Sequence, residues 1–430
     1  MVNEQSQSAP VQFDVVIVGG GVVGATLALQ LAAIDKPAPL AIALVEAGAP
    51  VKASQPDLEP KTKPKPGGFD PRVVALTRRS EQLLHSVDAW PAIQADRACA
   101  YTDMHVWDAD GTGVIHFSCA EVDAANLGHI VENRAVMAAL YDQINQIEHI
   151  QCWHNAEVEA LGGTEQVRDI ILADGRVLSA DLIIAADGAR SKIRELAAMP
   201  LRQWEYGHKA IVTTVVTEKP HQFTAWQRFL TTGPLAFLPL QAEAEAGRNE
   251  HTSSIVWSVT NDQADALMAL SETEFNHQLS RAFEHTLGAI THSDQRFSFA
   301  LTARHASDYH RPGLVLVGDA AHSIHPLAGQ GVNLGLADTQ VLAEEIARAR
   351  RRSLSLGDAS ILRRYQRRRK SHNLLALAVM EGFKRLFGAT ALPVRLLRNV
   401  GLRRVNRMGW LKQQIIKLML AGDESSAPHR

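Results

Sequence analysis

The chain has 430 residues, 46% of them hydrophobic, and its 44 Lys and Arg against 46 Asp and Glu give a formal net charge of −2 at pH 7. This length exceeds what one hydrophobic core fills, so we expect two domains or one elaborated domain. No window reaches the roughly 18 uncharged apolar residues of a membrane span, and residues 1–12 do not read as a signal peptide. We expect no metal site and no nucleic-acid partner.

Cysteine usage indicates a reducing compartment. Cys99, Cys119 and Cys152 are odd in number and form no Cys-x-x-Cys pair. This pattern argues against a disulfide framework and favours a cytoplasmic protein.

The small net charge hides a basic C-terminal region. Between Ile361 and Lys417 there are fifteen Lys or Arg and one acidic residue, Glu381. A segregated basic segment favours an anionic partner, such as the inner surface of a membrane or an acidic protein. The alternative is a solvated helix or an internal ion-pair face. The densest basic cluster, which we call the arginine cluster, consists of Arg363, Arg364, Arg367, Arg368, Arg369 and Lys370. The apolar runs Leu374–Met380 and Ile415–Leu420 could add an inserted face.

The N-terminal part predicts a β-α-β unit. Short β-branched runs at Phe13–Val18 and Ala41–Val45 flank Val22–Ile34, which has helical spacing and no proline. Gly48–Gly68 is rich in Pro, Lys and Gly and is typical of a mobile surface loop. Helix is predicted again over Arg72–Val87.

The middle of the chain predicts hairpins, helices and short strands. Asp-Gly turns indicate hairpins at His105–Phe117 and Ile170–Leu178, the second leading to a strand at Leu182–Ala186. Helical spacing marks Asn133–Ile147, Glu272–Leu287 and Val332–Arg352. Further strands are expected at Ala210–Thr217, Leu235–Leu240, Ser254–Val259 and Leu314–Val317.

This order predicts a nucleotide domain built from discontinuous pieces with a second domain inserted between them. We expect the nucleotide domain at residues 12–98, 130–199 and 301–352. A mostly antiparallel substrate domain is expected at residues 99–129 and 200–300, with basic C-terminal helices at residues 353–430.

The first motif is Gly-x-Gly-x-x-Gly, formed by Gly19, Gly21 and Gly24 between a predicted strand and a predicted helix. The first glycine makes the turn, the second lets the backbone approach a pyrophosphate, and the third permits close packing. Glu46 ends the next strand, where a carboxylate accepts ribose hydroxyls. The motif predicts nucleotide binding, but it does not separate NAD from FAD.

Two later motifs separate these cofactors. Asp187-Gly188 follows an apolar strand and would lie beside the phosphates, although Asp-Gly is also a common turn. Gly318-Asp319 ends another strand, where Asp319 can accept hydrogen bonds from a ribityl chain, which NAD lacks. The amides of residues 329–333 at the next helix start would favour a reduced, anionic flavin. A glycine-rich helix entry alone would explain Gly331 but not Gly318-Asp319.

Together these motifs resemble the class A flavin-dependent aromatic hydroxylases, the group built like p-hydroxybenzoate hydroxylase. Residues 318–335, with Gly128–Asn133, Leu235–Leu240 and Ser254–Trp257, are similar to the aerobic hydroxylases of ubiquinone biosynthesis. Leu127–Asn133 and Arg364–Lys370 resemble the 2-polyprenylphenol hydroxylase type, whereas Arg228–Leu240 resembles the later ring hydroxylase equally well. The resemblance runs from about Phe13 to the C-terminal helices. It implies an α/β fold with a Rossmann-like FAD domain, an inserted substrate domain and C-terminal helices.

The resemblance also implies residue roles. The adenosine and pyrophosphate contacts fall on Gly19, Gly21, Gly24, Glu46 and Asp187. The ribityl contact falls on Asp319 and the flavin-ring loop on Gly329, Gly331 and Asn333. Further cofactor-binding residues are Arg72, Asn133, Gly188 and Gly318.

The implied reaction is aromatic hydroxylation of a polyprenylated phenol. NADPH or NADH would reduce FAD, and O2 would add at flavin C4a to give the hydroperoxide that the phenol attacks. Two alternatives stay open, namely a flavin reductase or dehydrogenase of the same fold and a non-catalytic flavoprotein scaffold. The ring carbon, the choice of nicotinamide and a homo-oligomeric state are not decided by the sequence.

The remaining candidates rest on residue type and position. His322 and His325 lie near the flavin loop and could move a proton, but hydrogen-bonded packing residues are the commoner case. Four aromatic residues could line a substrate pocket, although core strands carry such residues too: Phe237, Trp204, Trp226 and Trp257.

Overall fold

The computed structural model describes residues 9–50, 68–163, 168–244, 247–323, 331–388 and 392–421. Most of the predicted loop Gly48–Gly68 lies outside these residues. The strands are β1 (Val11–Val18), β2 (Ile42–Val45), β3 (Val73–Thr77), β4 (Cys99–Tyr101), β5 (Asp103–Asp108), β6 (Val114–Ser118), β7 (Gly128–Glu132), β8 (Ile150–Trp153), β9 (Val158–Gly162), β10 (Asp169–Leu172), β11 (Val177–Ala185), β12 (Leu201–Thr217), β13 (Thr224–Leu230), β14 (Gly233–Pro239), β15 (Ala242–Ala244), β16 (Gly247–Asn249), β17 (Thr252–Thr260), β18 (Ile290–Ser293), β19 (Phe297–Ala306), β20 (His310–Arg311), β21 (Leu314–Leu316) and β22 (His322–Ser323).

Helices lie between groups of these strands, and the last four described elements are all helices. They are α1 (Val22–Ala32), α2 (Arg78–His85), α3 (Trp90–Ala95), α4 (Asn133–Ile144), α5 (Lys192–Leu196), α6 (Asn261–Ala269), α7 (Glu272–Ala282), α8 (Gly331–Arg351), α9 (Ala359–Gly388), α10 (Leu392–Arg407) and α11 (Gly409–Ala421). Short 3₁₀ turns follow β6 and β21.

The first sheet is the nucleotide-domain sheet, with strand order β20-β21-β11-β1-β2-β8. Strands β21, β11, β1, β2 and β8 run parallel. Residues 15–18 of the central strand β1 are buried, as expected for a strand covered on both faces. Helix α1 packs against α8 and α4. The predicted β-α-β unit is confirmed, and the predicted hairpin at Ile170–Leu178 is formed by β10 and β11.

The second sheet, the substrate-domain sheet, has the order β22-β19-β12-β17-β14-β13-β5-β6. Its pairs are antiparallel except β13 with β5. Strands from residues 103–118 and 201–306 thus share one sheet although the nucleotide-domain elements 128–196 separate them in sequence. Helix α7 packs Phe275, Leu279 and the following Phe283 against one face of this sheet. The exact domain boundaries stay a prediction.

A third sheet, β3-β7-β4, lies between the two larger ones and corrects one prediction. The region Arg72–Val87 was expected to be helical throughout, but Val73–Thr77 is a strand and the helix begins at Arg78. The strand forms because Val73 to Thr77 pair with Glu132 to Gly128, more than 50 residues away. Thr77 then caps α2 by accepting a hydrogen bond from the Ser80 amide.

The C-terminal helices extend across both parts of the molecule. Helix α9 packs against α8 and against strands β13 and β14. Helix α10 is held on the β5–β6 hairpin, where Asn399 and Asn406 accept hydrogen bonds from the amides of Gly113 and His116. Lys412 of α11 pairs with Glu121 at 2.8 Å. Among the described helices, none combines the length and apolar character needed to cross a membrane.

Candidate cofactor and active site

The parallel register brings the predicted cofactor turns to one edge of the nucleotide-domain sheet. Val18 of β1 is level with Val45 of β2 and Ala185 of β11, and Ala185 is level with Leu316 of β21. The turns that follow these strands begin at residues 19, 46, 186 and 317, so all lie beyond the carboxyl ends of the strands. Ligands of open α/β sheets bind in this position.

The three motif glycines have different surroundings. Gly19 has φ +105°, and a Cβ there would lie 2.3 Å from the Ala186 carbonyl oxygen. A Cβ on Gly24 would lie 1.9 Å from the Gly19 carbonyl oxygen, so α1 packs against the turn only with glycine at this position. In contrast, a Cβ on the exposed Gly21 would meet no atom within 4 Å in the described part of the chain. Contacts among the described residues therefore do not explain Gly21, which fits close approach of a ligand.

Glu46 is tied to the glycine turn. Its carboxylate accepts hydrogen bonds from the Gly20 amide at 2.7 Å and from the Gly48 amide at 2.8 Å. The Tyr141 hydroxyl of α4 donates to the Gly20 carbonyl at 3.1 Å. These bonds fix the carboxylate at the end of β2, where each oxygen keeps a lone pair for a ribose hydroxyl.

Asp187 carries a buried acceptor that the described protein leaves unused. Its Oδ2 accepts a hydrogen bond from the Ile193 amide at 3.1 Å, whereas Oδ1 is buried without a partner among the described residues. Burial raises the pKa of this carboxyl, against hydrogen bonds from Ser191 and nearby amides that lower it. The adjacent Gly188 has φ +80° and open space at its Cβ position. An orphaned buried acceptor beside an open glycine turn is consistent with a bound ligand completing the site.

Arg194 joins the second and third cofactor turns. The guanidinium is buried and donates to the Ala320 carbonyl at 2.7 Å and to the Ala189 carbonyl at 3.1 Å. One side chain thus holds the turns after β11 and β21 at a fixed separation.

Asp319 lies in a concave part of this edge. Protein atoms surround its carboxyl, and this desolvation raises its pKa, with His322 and Arg304 acting in the opposite direction. Nevertheless, its side chain is exposed to solvent. A carboxyl that protein surrounds on most sides but that water still reaches is placed to accept hydrogen bonds from a ligand.

Directly behind this turn lies a buried polar network centred on Asp338 of α8. The fully buried Asp338 carboxylate accepts hydrogen bonds from the Gly318 amide at 3.0 Å, from His322 Nε2 at 2.6 Å and from Arg369 Nε at 2.7 Å. Burial alone would raise the pKa of Asp338, but the charges and hydrogen bonds of His322 and Arg369 hold it at about 2. Asn373 also donates to Asp338, at 3.2 Å.

The hydrogen bond to Asp338 indicates the role of His322. Its side chain is 2% exposed and its Nε2 is engaged by Asp338. The structure therefore favours the alternative of a hydrogen-bonded packing residue over proton transfer to a substrate. His325 and Gly329 lie outside the described residues.

Asn333 and Gly331 stand at the start of α8. The Asn333 side chain accepts from the Ser80 hydroxyl at 2.6 Å and donates to the Ala75 carbonyl at 2.7 Å. These bonds hold α8 against β3 and α2. Because they engage the Asn333 side chain, its backbone amide is the group left to contact a flavin. A Cβ on Gly331 would meet no atom of the described residues within 4 Å.

Arg72 and Asn133 are neighbours in space because β3 pairs with β7. The Asn133 amide donates to the Arg72 carbonyl at 2.8 Å, and the Arg72 side chain is exposed. The structure thus brings together two residues that are 61 positions apart in the chain.

Comparison with known proteins agrees with this geometry. The model of the FAD-binding domain family matches residues 120–378. The ubiquinone biosynthesis monooxygenase COQ6 of Xenopus tropicalis is 33% identical, covering 96% of this chain and 94% of that protein. The 3-demethoxyubiquinol 3-hydroxylase of Escherichia coli is also 33% identical, with 95% and 98% covered. The ubiquinone hydroxylase UbiL of Rhodospirillum rubrum is 35% identical, with 94% and 88% covered.

The chain belongs to the family of FAD-dependent ubiquinone hydroxylases. It is therefore an FAD-dependent monooxygenase of the aromatic hydroxylase type. Among solved structures, p-nitrophenol 4-monooxygenase PnpA from Pseudomonas putida is similar, with a TM-score of 0.73 at 18% identity, covering 94% of this chain and 97% of that one. PqsL from Pseudomonas aeruginosa gives a TM-score of 0.71 at 18% identity, covering 91% and 100%. These two similarities show the fold alone, and the predicted fold class is confirmed.

The residues present fit FAD. The open Cβ positions of Gly21 and Gly188 leave room for a pyrophosphate, and the unpartnered Asp187 oxygen and the exposed Asp319 carboxyl supply acceptors. The assignment of each predicted contact to one part of FAD stays a prediction.

The four aromatic residues predicted to line a substrate pocket lie on strands of the substrate-domain sheet. Phe237 is fully buried and stacks on Phe283 at 3.9 Å, and Trp257 is 6% exposed and packs near Phe275. Trp226 packs against the same cluster, on the sheet face that α7 covers. The structure favours core packing for these three residues, since their face is not the one that meets the β3-β7-β4 sheet. Trp204 is half-buried on β12.

Several residues of the site were missed from the sequence. Asp338, Tyr141 and the contact of Arg194 with Ala320 carry no motif, because their partners lie 16 to 126 positions away. The available signal was the placement of Asp338 among the apolar positions Leu336, Val341 and Leu342 of the predicted helix, where a buried acidic residue requires a partner.

Proposed function

We propose that this protein hydroxylates the aromatic ring of a polyprenylated phenol in ubiquinone biosynthesis, using FAD, a reduced nicotinamide and O2. The observation that carries the proposal is the near full-length similarity to hydroxylases whose names place them in that pathway. Their identities of 33% to 35% are nearly equal, so they favour no single ring position.

The protein's part in the reaction follows from the site. FAD, when bound, supplies the redox and oxygen-transfer chemistry. The open turn at Gly21 and the N-terminus of α1 would bind phosphate, and Glu46 would orient a ribose. Asp319 would hold the ribityl chain, and the N-terminal amides of α8 would favour negative charge on the flavin ring.

An apolar cluster supports a hydrophobic substrate. On the face of the substrate-domain sheet that meets the third sheet, Ala225, Leu238 and Leu240 pack with Ala75 and Ile130. This aliphatic face joins the strand leading to α2 with strands β13 and β14. A prenylated ring bound beside this packed cluster would meet mainly aliphatic side chains.

Ser254 supplies a polar group on this aliphatic face. It is opposite Leu238 in the β14–β17 pair, so the two side chains share a face. Its hydroxyl is buried and has no partner among the described residues. We infer that the Ser254 hydroxyl hydrogen-bonds to the phenol oxygen of the substrate. Ser254→Ala should therefore raise KM for the phenol and leave FAD affinity unchanged. An unchanged KM would show that Ser254 is not part of the substrate site.

Isotope incorporation tests the reaction class. The purified protein, given FAD, NADPH or NADH, a short-chain prenylated phenol and ¹⁸O2, should form a product that contains one ¹⁸O atom. Nicotinamide oxidation with a modified product that carries no ¹⁸O would instead establish a reductase. Deleting the gene and identifying the accumulated quinone precursor gives the ring position. Retained pathway flux with a folded Asp319→Ala protein would establish a scaffold.

Cofactor placement is tested by a matched glycine pair. Gly21→Val should fold and lose FAD, because the protein leaves room for the side chain and the pyrophosphate does not. Gly24→Val should fail to fold, since its Cβ has no room beside Gly19. Asp319→Ala should weaken FAD binding by about 1.5–3 kcal/mol through loss of a charge-assisted hydrogen bond. Full FAD occupancy in Gly21→Val would contradict the placement.

A further inference from the structure

The second half of α9 presents apolar side chains to solvent. Leu374, Leu375 and Val379 are 43%, 62% and 44% exposed. Their spacing of one and four residues places them on one side of the helix, together with the exposed Ala378 and Gly382. We call this side the outward face. Single exposed leucines are ordinary on soluble proteins, whereas a contiguous apolar surface marks an interaction site.

The opposite side of the same half-helix is already occupied. Leu377 is buried, and Phe387 is buried and stacks on Phe229 of β13 with ring centroids 3.9 Å apart. This half of α9 therefore has apolar residues around most of its circumference, but only one side packs on the protein. Packing among the residues that the structure describes does not account for the outward face.

Basic side chains border the outward face. Arg363 and Arg367 are exposed on the turns that precede it along the same side of α9. Arg385 is 79% exposed beside Leu386, and its partner Glu381 is the single acidic residue between Ile361 and Lys417. With three exposed arginines against one glutamate, the charge around the apolar surface is net positive.

The junction of α10 and α11 has the same composition. Arg403, Arg404 and Arg407 are exposed, and they are followed by Met408 and Trp410, which are 38% and 65% exposed. Tryptophan with an exposed indole beside arginines is typical of segments at a membrane–water interface.

We propose that the outward face of α9 docks on an anionic phospholipid surface, with the helix lying parallel to that surface. Aliphatic side chains would enter the acyl boundary while the bordering arginines contact lipid phosphates. The aliphatic character favours lipid over an acidic protein, because the exposed Leu374, Leu375, Ala378 and Val379 offer no side-chain hydrogen-bonding groups to a specific partner. No described helix is suited to span the bilayer, so the contact is peripheral.

The location of α9 gives this contact a consequence for the substrate domain. The helix packs directly on β13 and β14, so docking would hold the substrate-domain sheet within about one helix diameter, roughly 10 Å, of the lipid. The proposal rests on exposure and charge, and it stands independently of the reaction assigned above.

Co-sedimentation of the FAD-loaded, full-length protein with vesicles tests the proposal. Vesicles of phosphatidylglycerol and phosphatidylcholine in equal parts should bind the protein at low salt, and high salt should weaken the binding. A triple variant, Leu374→Ser with Leu375→Ser and Val379→Ser, should bind about tenfold more weakly or worse. Arg363→Gln and Arg367→Gln should each weaken binding about fivefold.

A matched control replaces exposed aliphatic residues away from α9. Val11→Ser with Leu354→Ser should bind vesicles like the unchanged protein, because these residues are 41% and 39% exposed at other sites. The triple variant should keep its thermal unfolding temperature and its nicotinamide oxidation with a water-soluble phenol, which separates docking from catalysis. Wild-type protein that stays in solution at low salt, or a triple variant that binds fully, would overturn the proposal.

Discussion

The two halves of α9 differ in where they direct their side chains. In the first half, Arg364 and Arg368 pair with Glu345 of α8 at 3.0 Å, and the buried Arg369 pairs with Asp338 at 2.7 Å. In the second half, aliphatic side chains point into solvent. Thus the more strongly charged half is the one that is anchored within the protein.

This contrast bears on the two interpretations of the arginine cluster. Four of its six members bond to protein groups across the helix packing: Lys370 donates to the Ser307 carbonyl, and Arg364, Arg368 and Arg369 reach acidic residues of α8. For these four, the structure favours the alternative of an internal ion-pair face. Only Arg363 and Arg367 are exposed in the cluster. A charge-rich sequence therefore does not by itself locate a surface.

The largest expected effect is on the anchored half. Asp338→Ala leaves the guanidinium of Arg369, with 5% side-chain exposure, without its carboxylate, and we expect the free energy of unfolding to fall by about 3–5 kcal/mol. Denaturant unfolding measures this loss. Asp338→Asn keeps an acceptor of the same shape and should lose less. A midpoint equal to wild type in Asp338→Ala would show that the network does not anchor α9.

A leucine pair compares the two sides of the second half. Leu377→Ala removes a side chain that is 8% exposed and should destabilise the fold by about 2–5 kcal/mol. Leu375→Ala, on the outward face, should change stability by less than about 0.5 kcal/mol. Both are measured by denaturant unfolding. Equal losses would show that the outward face is packed in solution.

Acidification should weaken the surroundings of the anchored half. Burial, with the nearby charges of His322, Lys370 and Arg202, lowers the pKa of His305 from 6.5 to about 4. Between these values the unfolded chain binds a proton that the folded chain does not. The free energy of unfolding should therefore fall as pH decreases through this range, by on the order of 2 kcal/mol once solvent screening is allowed for. His305→Gln does not titrate and should show a shallower slope; an unchanged slope would exclude His305 as the cause.

The smallest effect separates neighbours within the arginine cluster. Arg367→Gln should leave stability within about 0.5 kcal/mol, because Arg367 is exposed. Arg368→Gln should cost about 1–2 kcal/mol, since Glu345, with 1% side-chain exposure, loses one of its charged donors. Thermal or denaturant unfolding of the two proteins measures the difference. The reverse order would invalidate the assignment of inward and outward positions.

Local patterns in the sequence were sufficient for much of the fold. The β1-α1-β2 unit, the Asp-Gly hairpins and the glycine turn depend on neighbouring residues, and their elements lie close to the predicted bounds. Strand β3 could not be predicted in this way, because its partner β7 lies more than 50 residues further on. Helix α6, also missed, has a single buried residue, Ala264, and so shows little apolar periodicity.

The candidate site also has residues that local sequence predicts and residues that it does not. Gly21, Glu46 and Asp187 belong to turns whose residue types indicate ligand contact, and the register then brings those turns to one edge. The faces of Phe237 and Trp257 could not be chosen from the sequence, because both faces of their sheet are covered and both carry apolar residues. The partner of Arg369 was hidden for the same reason as β7, namely distance along the chain.

Asp338 accepts hydrogen bonds both from the Gly318 amide in the cofactor turn and from Arg369 of α9. Because one carboxylate bonds to both elements, FAD binding and the packing of α9 are thermodynamically linked. If the packing of α9 raises the affinity for FAD, FAD binding stabilises the packing of α9 by the same free energy. Loss of cofactor would therefore loosen α9 first, and limited proteolysis should cut this helix faster in the apoprotein than in the FAD-loaded enzyme.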